Sequence, residues 1–354
     1  MIAETWTMPA MLKDLSKKAL YASGLLGLYH RLRNGDSLTV VMFHRILPPD
    51  DPRFASCDPD YTLTTDLFGQ CLAFFARHYN LVSEAQVLAS RRSGAPLPRN
   101  ALLLTFDDGW ADNADHALSQ MQRFGFPGLL FVVSDAIGRR QPFIQEAVVA
   151  AWRRGVLSVS ALAQAIDAVA GPPEGAQPAD DESLAALRSQ IARLEALDSA
   201  GCAGVAAALA GVLDDGMRHM VDRDDLLRLR AGGIALGLHG KTHVRMTRTD
   251  DLDAELGGAR DALVAKLAAS VPPATSMSFP HGAHDAAIAQ RARDAGYELV
   301  FTSSRLLNRI DRGVGWLLGR TGFETETVTD ASGRFRPDLL ALELFRCRRG
   351  RLCD

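Results

Sequence analysis

Short apolar runs alternate with amphipathic stretches of helical period in this sequence, and the alternation limits the folds that the chain can adopt. Residues 38–43, 101–106 and 234–238 have the length and composition of buried strands. Residues 112–124 and 251–267 repeat apolar side chains every three or four positions, as helices do. Strands that alternate with helices form parallel sheets, because each helix returns the chain to the start of the next strand. The sequence therefore predicts an α/β fold, a distorted (β/α) barrel of about seven strands.

The stretch from residue 141 to residue 224 interrupts this alternation. It is rich in alanine, helical in pattern and divided by a connector of glycine and proline, and no strand is evident in it. We therefore predict a helical insertion at 141–224 between two parts of one domain, residues 37–140 and 225–335. Residues 1–36 are predicted to form an N-terminal amphipathic extension, and residues 336–354 a C-terminal tail.

Polar side chains follow four of the predicted strands at the point where each strand ends. They are His44, the pair Asp107 and Asp108, His239, and the pair Pro280 and His281. In parallel α/β folds the carboxyl ends of the strands face one mouth, and active sites form there. The sequence therefore predicts that these side chains share one site.

Two imidazoles and a carboxylate in that mouth would make a set of three metal ligands. His239 and His243 are four positions apart in a strand-to-loop turn, and a turn at the glycine after Asp108 could bring both aspartates into the site. Three nitrogen and oxygen ligands with open positions are typical of a catalytic metal site. One aspartate would bind the cation and the other would take a proton. The alternatives are a turn with a helix cap for Asp107-Asp108, and one packed and one solvent-facing histidine.

These residues resemble the motifs of the polysaccharide deacetylase (NodB-homology) family. Residues 105–109 read Thr-Phe-Asp-Asp-Gly, which matches the first motif of the family letter for letter. Residues 239–243 read His-Gly-Lys-Thr-His, which matches its metal-binding histidine pair. Residues 278–282 read Ser-Phe-Pro-His-Gly and look like its Pro-Tyr-Gly motif, with His281 in place of tyrosine. The resemblance covers the two parts of the domain and leaves out the insertion.

The resemblance implies a metal-dependent deacetylase that hydrolyses the acetyl amide, or ester, of an N-acetylated sugar, glycolipid or polysaccharide. Asp107 would be the general base that activates water. A divalent metal, usually zinc, would be held by Asp108, His239 and His243. Pro280 and His281 would line the mouth, where a backbone N–H can help to bind the oxyanion.

The proton donor is where the sequence departs from the commonest pattern of this family. Residues 318–320 read Leu-Gly-Arg where the late Leu-x-His motif is expected, and residues 277–278 lack the arginine that often orients the base. Residues 41–45 (Val-Met-Phe-His-Arg) resemble instead the N-terminal Tyr-His motif of the permuted branch, typified by deacetylases of secreted poly-N-acetylglucosamine. We therefore assign His44 as the general acid and Arg320 as a residue that orients the base. The alternatives are a structural histidine and a surface ion pair.

Two rival functions stay open at this point. Relatives that cleave amides in small cyclic compounds share the first two motifs, and a catalytically inactive carbohydrate-binding member would keep the fold. An intact carboxylate beside the metal ligands argues against the second rival, because binding alone needs no base. Trp110, directly after the first motif, is predicted to form a wall on which a sugar ring stacks, with packing at a helix start as the alternative.

The amino-acid composition limits the binding partners and the cellular compartment that we expect for this protein. The chain has 39 Lys and Arg against 42 Asp and Glu, so its charge gives no broad attraction to nucleic acid. Its five cysteines are widely spaced without a C-x-x-C pair, which argues against a disulfide framework and suits a reducing compartment. An apolar run within residues 10–33 is followed by His-Arg-Leu-Arg rather than by a small-residue cleavage site, so we predict no signal peptide. We expect a cytoplasmic protein, or one that is peripheral at a membrane through residues 10–33, with packing of this segment against the domain as the alternative.

Overall fold

The computed structural model describes residues 10–172, 181–267 and 272–352, so most of the predicted connector at 171–178 and the outer ends of the predicted extension and tail lie outside the described residues. The strands are β1 Ser37–Phe43, β2 Arg45–Leu47, β3 Thr62–Thr64, β4 Asn80–Leu81, β5 Ala101–Phe106, β6 Gly128–Val132, β7 Ile234–Leu238, β8 Ser276–Ser278, β9 Leu299–Phe301, β10 Leu307–Arg309, β11 Leu317–Leu318, β12 Thr321–Gly322 and β13 Arg349–Gly350. The helices are α1 Ala10–Ala22, α2 Leu25–Arg33, α3 Thr65–His78, α4 Glu84–Ser93, α5 Leu118–Phe124, α6 Ile144–Arg153, α7 Val159–Ala170, α8 Leu184–Leu194, α9 Ser199–Ala208, α10 Ala210–Leu213, α11 Arg223–Ala231, α12 Ala259–Leu267, α13 Ala286–Asp294, α14 Thr325–Val328 and α15 Pro337–Phe345. Two π-helical segments, Asn113–Ala117 and Ala254–Gly258, run into α5 and α12.

One mostly parallel sheet forms the centre of the molecule. Seven strands lie side by side in the order β11, β9, β8, β7, β6, β5 and β1, and each pair of neighbours is parallel. β10 then pairs antiparallel with β1 and leads to β13, while β2 and β3 form a separate pair. The α/β class is as predicted. The hydrogen-bonded path has two ends within the described residues, so strand pairing alone does not close a barrel.

The chain itself joins the two ends of this parallel run. β11 pairs with β9 and β12 pairs with β1, and only Gly319 and Arg320 separate β11 from β12. The strand ladder is interrupted here, and the Asn308 side chain supplies the missing partners: it accepts from Gly319 N at 2.8 Å and donates to Gly319 O at 2.9 Å. Arg320 is therefore placed between the two ends of the run, where it is 1% exposed.

The central strands are buried on both faces, which is why they read as continuous apolar runs. Alternate side chains point to opposite faces of a strand. In β1, Val41 and Phe43 join the apolar cluster beneath the helices, whereas Leu38 and Val40 join a second cluster on the other face with Phe301. The two clusters fix the register of the sheet, because a shift by one residue would exchange them.

Helices α6 to α10 form a separate layer with its own apolar cluster. Val148, Leu162, Leu187, Leu194 and Val205 are buried together there. The described part of the predicted insertion, residues 141–172 and 181–224, contains no strand. The layer thus folds around its own core beside the sheet.

The prediction of a C-terminal tail at 336–354 is wrong. Residues 337–345 form α15, and Leu340, Leu344 and Phe345 are buried in the main apolar cluster. Helices α1 and α2 pack against α15, so the N-terminal segment is fastened to the domain. No helix in the described ranges has the length and apolarity of a membrane span.

Candidate active site

All but one of the polar residues predicted to share a mouth line one cavity. His44 follows β1, Asp107 and Asp108 follow β5, and His239 follows β7. They line a cavity of about 640 Å³ together with His243. This volume suits a ligand of the size of one or two sugar rings.

Three of these side chains are close enough to share one cation. The Nε2 atoms of His239 and His243 lie 3.4 and 3.2 Å from Asp108 Oδ1. One ligand atom from each residue lies within 4.8 Å of the other two. Ligands at zinc-bond lengths in a tetrahedral arrangement are separated by about 3.3 Å, so the two measured distances fit a metal ion.

The orientation of these side chains also fits a metal. His239 Nδ1 lies 3.1 Å from the carbonyl oxygen of Ser278 and 2.6 Å from its Oγ. A carbonyl only accepts, so Nδ1 carries the proton and Nε2 presents its lone pair to the site. Trp110 Nε1 donates to Asp108 Oδ2 at 2.9 Å, which leaves Oδ1 facing the histidines. Burial raises the pKa of Asp108, but the hydrogen bond and charge of His243 outweigh burial, so the pKa lies well below its usual range.

The prediction that Trp110 forms a sugar-stacking wall is wrong. Its side chain is 1% exposed and lies beneath the site, where it donates to Asp108. The Arg45 guanidinium lies 4.4 Å from the centre of the ring and forms a buried ion pair with Asp112 at 2.9 Å. A ring enclosed in this way positions a carboxylate and has no free face for a ligand.

Asp107 lies beside these three side chains and is held by an arginine. Arg320 donates to both carboxylate oxygens at 2.7 Å, in a buried bidentate pair. Ser278 Oγ donates to Asp107 Oδ1 at 3.2 Å and so links it to the ring of His239. Burial raises the pKa of Asp107, but Arg320 and then His239 outweigh burial and lower it, so the carboxylate is ionised and can accept a proton.

His44 lines the same cavity. Asn113 Nδ2 donates to its backbone oxygen at 2.8 Å, and its ring meets the ring of Tyr61 edge to face at 5.0 Å. The side chain is half-buried and open to the cavity. His44 is therefore placed to reach a ligand bound in front of the two aspartates.

Backbone conformations that non-glycine residues seldom adopt are concentrated at this site. Of the four non-glycine residues with left-handed φ in the described ranges, three are Asp108, His243 and His281. Such conformations persist where the surrounding structure imposes them, and they cluster at functional sites. His281 lines the cavity with its ring 4.6 Å from that of His243, whereas Pro280 is buried and does not line it.

The loop between the two histidines is held by Glu255, which the sequence did not indicate. One carboxylate oxygen of Glu255 accepts from Lys241 N at 2.7 Å and from Thr242 N at 3.1 Å, and the other accepts from Thr242 Oγ1 at 2.6 Å. Gly240 turns here with a φ of +73°, and a Cβ at this position would lie 3.0 Å from Glu255. The carboxylate therefore sets the shape of the loop that carries His243.

The Glu255→Gln variant should bind metal about tenfold to a hundredfold more weakly, because its amide nitrogen would face backbone and hydroxyl donors. Metal titration of the metal-free protein measures this affinity. Glu326→Gln, at an exposed position on α14, is the matched control. An affinity equal to that of the control would mean that the loop keeps its shape without Glu255.

The helical layer supplies one wall of the cavity. The residues that line it from this layer are Gln145, Glu146, Arg188, Ile191, Ala192 and Glu195. Arg188 pairs with Asp58 at 2.6 Å and so ties the layer to the sheet domain. Burial, with the charge of Asp58 added, raises the pKa of Glu146 to about 8. The wall therefore offers a carboxyl group that takes up a proton more readily than an exposed glutamate does.

The fold was compared with those of known proteins. No family model matches the sequence, and no curated protein sequence matches it either. The structure is similar to that of the Streptococcus pyogenes deacetylase PplD in complex with acetate, with 13% identity, a TM-score of 0.54 and coverage of 87% of this chain and 98% of that one. It is also similar to a de-N-acetylase from Aggregatibacter actinomycetemcomitans, with 14% identity, a TM-score of 0.52 and coverage of 84% and 98%.

A third similar structure is BC0361, a polysaccharide deacetylase from Bacillus cereus, with 11% identity, a TM-score of 0.53 and coverage of 87% of this chain and 69% of that one. The chain has the polysaccharide deacetylase fold. Its mouth at the carboxyl ends of the strands is where Asp107, Asp108, His239 and His243 meet. The resemblance read from the motifs is thereby confirmed at the level of the fold.

Proposed function

We propose that the protein is a metal-dependent deacetylase that hydrolyses the acetyl amide of an N-acetylated sugar, glycolipid or polysaccharide. One observation carries the proposal: a set of metal ligands, Asp108, His239 and His243, lies beside the buried carboxylate of Asp107. The shared fold with deacetylases supports it. We also interpret the scaffold as a distorted barrel, because the chain between β11 and β12 joins the ends of the parallel run.

Asp108, His239 and His243 would hold a divalent metal, for which zinc fits the ligand set. When bound, the metal polarises a carbonyl and makes water more acidic. Asp107, kept ionised by Arg320, takes the proton of the attacking water. His44, another residue of the cavity, gives a proton to the leaving nitrogen. His281, which lines the cavity, would bind the developing oxyanion through its backbone N–H.

Tyr61 takes the role that we first assigned to Trp110. It is 46% exposed and lines the cavity beside His44. Its ring offers an aromatic face on which a sugar can stack, and its hydroxyl can hydrogen-bond. The wall of the helical layer, with Glu146 and Glu195, would select the substrate by its hydroxyl and amide groups.

The test is metal analysis of the purified protein together with assays of acetate release from chito-oligosaccharides and of ring opening of cyclic ureides. We expect about one divalent ion per chain, and acetate release that a chelator abolishes and added metal restores. The His243→Ala variant should lose both the ion and the activity. His116→Ala, which changes a histidine paired with Asp51 outside the cavity, is the control. Turnover of cyclic ureides without acetate release, or full metal content in His243→Ala, would overturn the proposal.

The His44→Asn variant should lose about 10²-fold or more in kcat/KM on an N-acetylated oligosaccharide. It should lose far less on an aryl acetate, because a phenolate leaves without a proton whereas an amine does not. Comparison of the two substrates measures the effect. Equal losses on both substrates, or full turnover of the amide, would exclude His44 as the acid.

A further inference from the structure

Several large apolar side chains of the N-terminal helices face solvent. α2 carries apolar residues at positions i, i+3, i+4 and i+7, the spacing of one helical stripe, and all of them are exposed. Leu32 is 74% exposed and Leu28 is 45% exposed. Three leucines of α1, at positions 12, 15 and 20, are exposed as well. We define the apolar face as Leu12, Leu15, Leu25, Leu28, Tyr29 and Leu32.

Exposed large apolar side chains are concentrated on this part of the described surface. Of the twelve such side chains in the described residues, seven lie between residues 12 and 32. The others are spread over separate segments, at Tyr61, Phe124, Val156, Val169 and Leu184. Single exposed apolar residues are common on proteins, but a group of them marks a surface that binds something apolar.

The inward side of these helices is fastened by polar contacts. The His30 ring stacks on Phe345 at 4.1 Å, and Arg33 donates to the backbone oxygens of Phe345 and Cys347 at 3.0 Å. The Tyr21 hydroxyl lies 3.2 Å from His78 Nε2. Surface helices ordinarily turn their apolar side inward. Here a rotation that buried the leucines would break these contacts, so the apolar face is held outward.

Basic side chains stand on the same two helices. Five basic and two acidic residues lie between residues 12 and 36, in a chain whose net charge is −3. Lys13, Lys17 and Arg31 are exposed and form no ion pair with a carboxylate of the described residues. Lys18 pairs with Asp14 at 3.0 Å. An excess of positive charge beside exposed leucines complements a surface that is apolar and negatively charged.

We infer that α1 and α2 bind the surface of an anionic lipid bilayer. The apolar face lies at the boundary between headgroups and acyl chains, and Lys13, Lys17 and Arg31 contact the phosphates. Leucines on one side and basic residues on the flanks are the composition of helices that lie in the plane of this interface. A second copy of the chain fits less well, because two faces with the same excess of positive charge repel each other.

The test is co-sedimentation of the full chain with vesicles of phosphatidylcholine and phosphatidylglycerol. The Leu28→Asp/Leu32→Asp variant should bind the vesicles at least about a hundredfold more weakly, because it lacks two leucine side chains that would be buried in the bilayer. The Lys13→Glu/Lys17→Glu variant should lose about tenfold or more, and salt should weaken binding of the parent protein. The matched control is Val156→Asp/Val169→Asp, which changes two exposed valines of the helical layer. Unchanged thermal unfolding shows that each variant is folded.

The inference is overturned if the parent protein does not bind these vesicles, or if the control loses as much affinity as the leucine variant. It is also overturned if the parent protein is a dimer that the leucine variant dissociates, since the apolar face would then bind a second copy. Acetate release from a soluble chito-oligosaccharide should be the same in the leucine variant as in the parent. Failure of vesicle binding and failure of the proposed activity are therefore seen separately.

Discussion

The Asp107→Asn variant is expected to lose about 10²- to 10⁴-fold in the rate of acetate release and to keep its metal. Asparagine has nearly the same shape, so Ser278 and Arg320 retain an oxygen to which they can donate. It cannot accept a proton from water, however. The bound ion is held by Asp108 and the two histidines, which the change leaves in place.

Parallel metal analysis and acetate assays on the purified variant separate these two effects. Asp224→Asn is the control, because this carboxylate is 91% exposed and does not line the cavity. Loss of metal together with activity would show that Asp107 supports the ion rather than the proton transfer. Activity near that of the parent protein would remove Asp107 as the base.

The Arg320→Met variant is expected to lose about 3–5 kcal/mol of unfolding free energy, because it leaves a buried carboxylate without its partner. The pKa of Asp107 should rise, since Arg320 is the strongest of the influences that lower it. Arg320→Met/Asp107→Asn should regain part of the lost stability, because a neutral amide is less costly to bury than an unpaired charge. Urea unfolding of the three proteins measures these differences.

A surface ion pair provides the comparison for this prediction. Arg92 pairs with Glu298 with its side chain 55% exposed, so Arg92→Met should cost less than about 1 kcal/mol. If Arg320→Met lowered the free energy of unfolding no more than Arg92→Met does, solvent would have to reach the Asp107 carboxylate in the folded protein. The double variant would then show no recovery.

The strands that carry the site were predictable because each one is a continuous apolar run with a clear end. Residues 101–106 and 234–238 are strands with the predicted bounds. The short strands were not predictable in the same way. β2 lies at the start of a proline-rich stretch that reads as a loop, and its three residues are extended because β3 pairs with them. Pairing between distant segments leaves no periodic pattern in a segment of three residues.

The sequence was sufficient to predict that four side chains meet, because the carboxyl ends of parallel strands lie at one edge of the sheet. These are Asp107, Asp108, His239 and His243. The contacts that orient them could not be predicted, because Ser278 and Glu255 reach the site from other strands and helices. The sequence showed that Trp110 directly follows the first motif, but the prediction that its ring faces the cavity was wrong. The backbone turns at Asp108 with a φ of +76°, and the ring of Trp110 lies beneath the carboxylate. A sequence pattern gives the order of residues, but it does not show that the backbone turns in this way at Asp108.

The interrupted ladder at Gly319 and Arg320 ties the proposed chemistry to the order in which the chain is synthesised. Arg320 and Asp107 are 213 positions apart, so their pair can form only after the long segment between them has been synthesised. A nascent chain that has emerged only as far as β11 already contains the metal ligands and the base, but it lacks the guanidinium that keeps the base ionised. We therefore expect hydrolytic competence to appear only after Arg320 and β12 have left the ribosome and β12 has paired with β1.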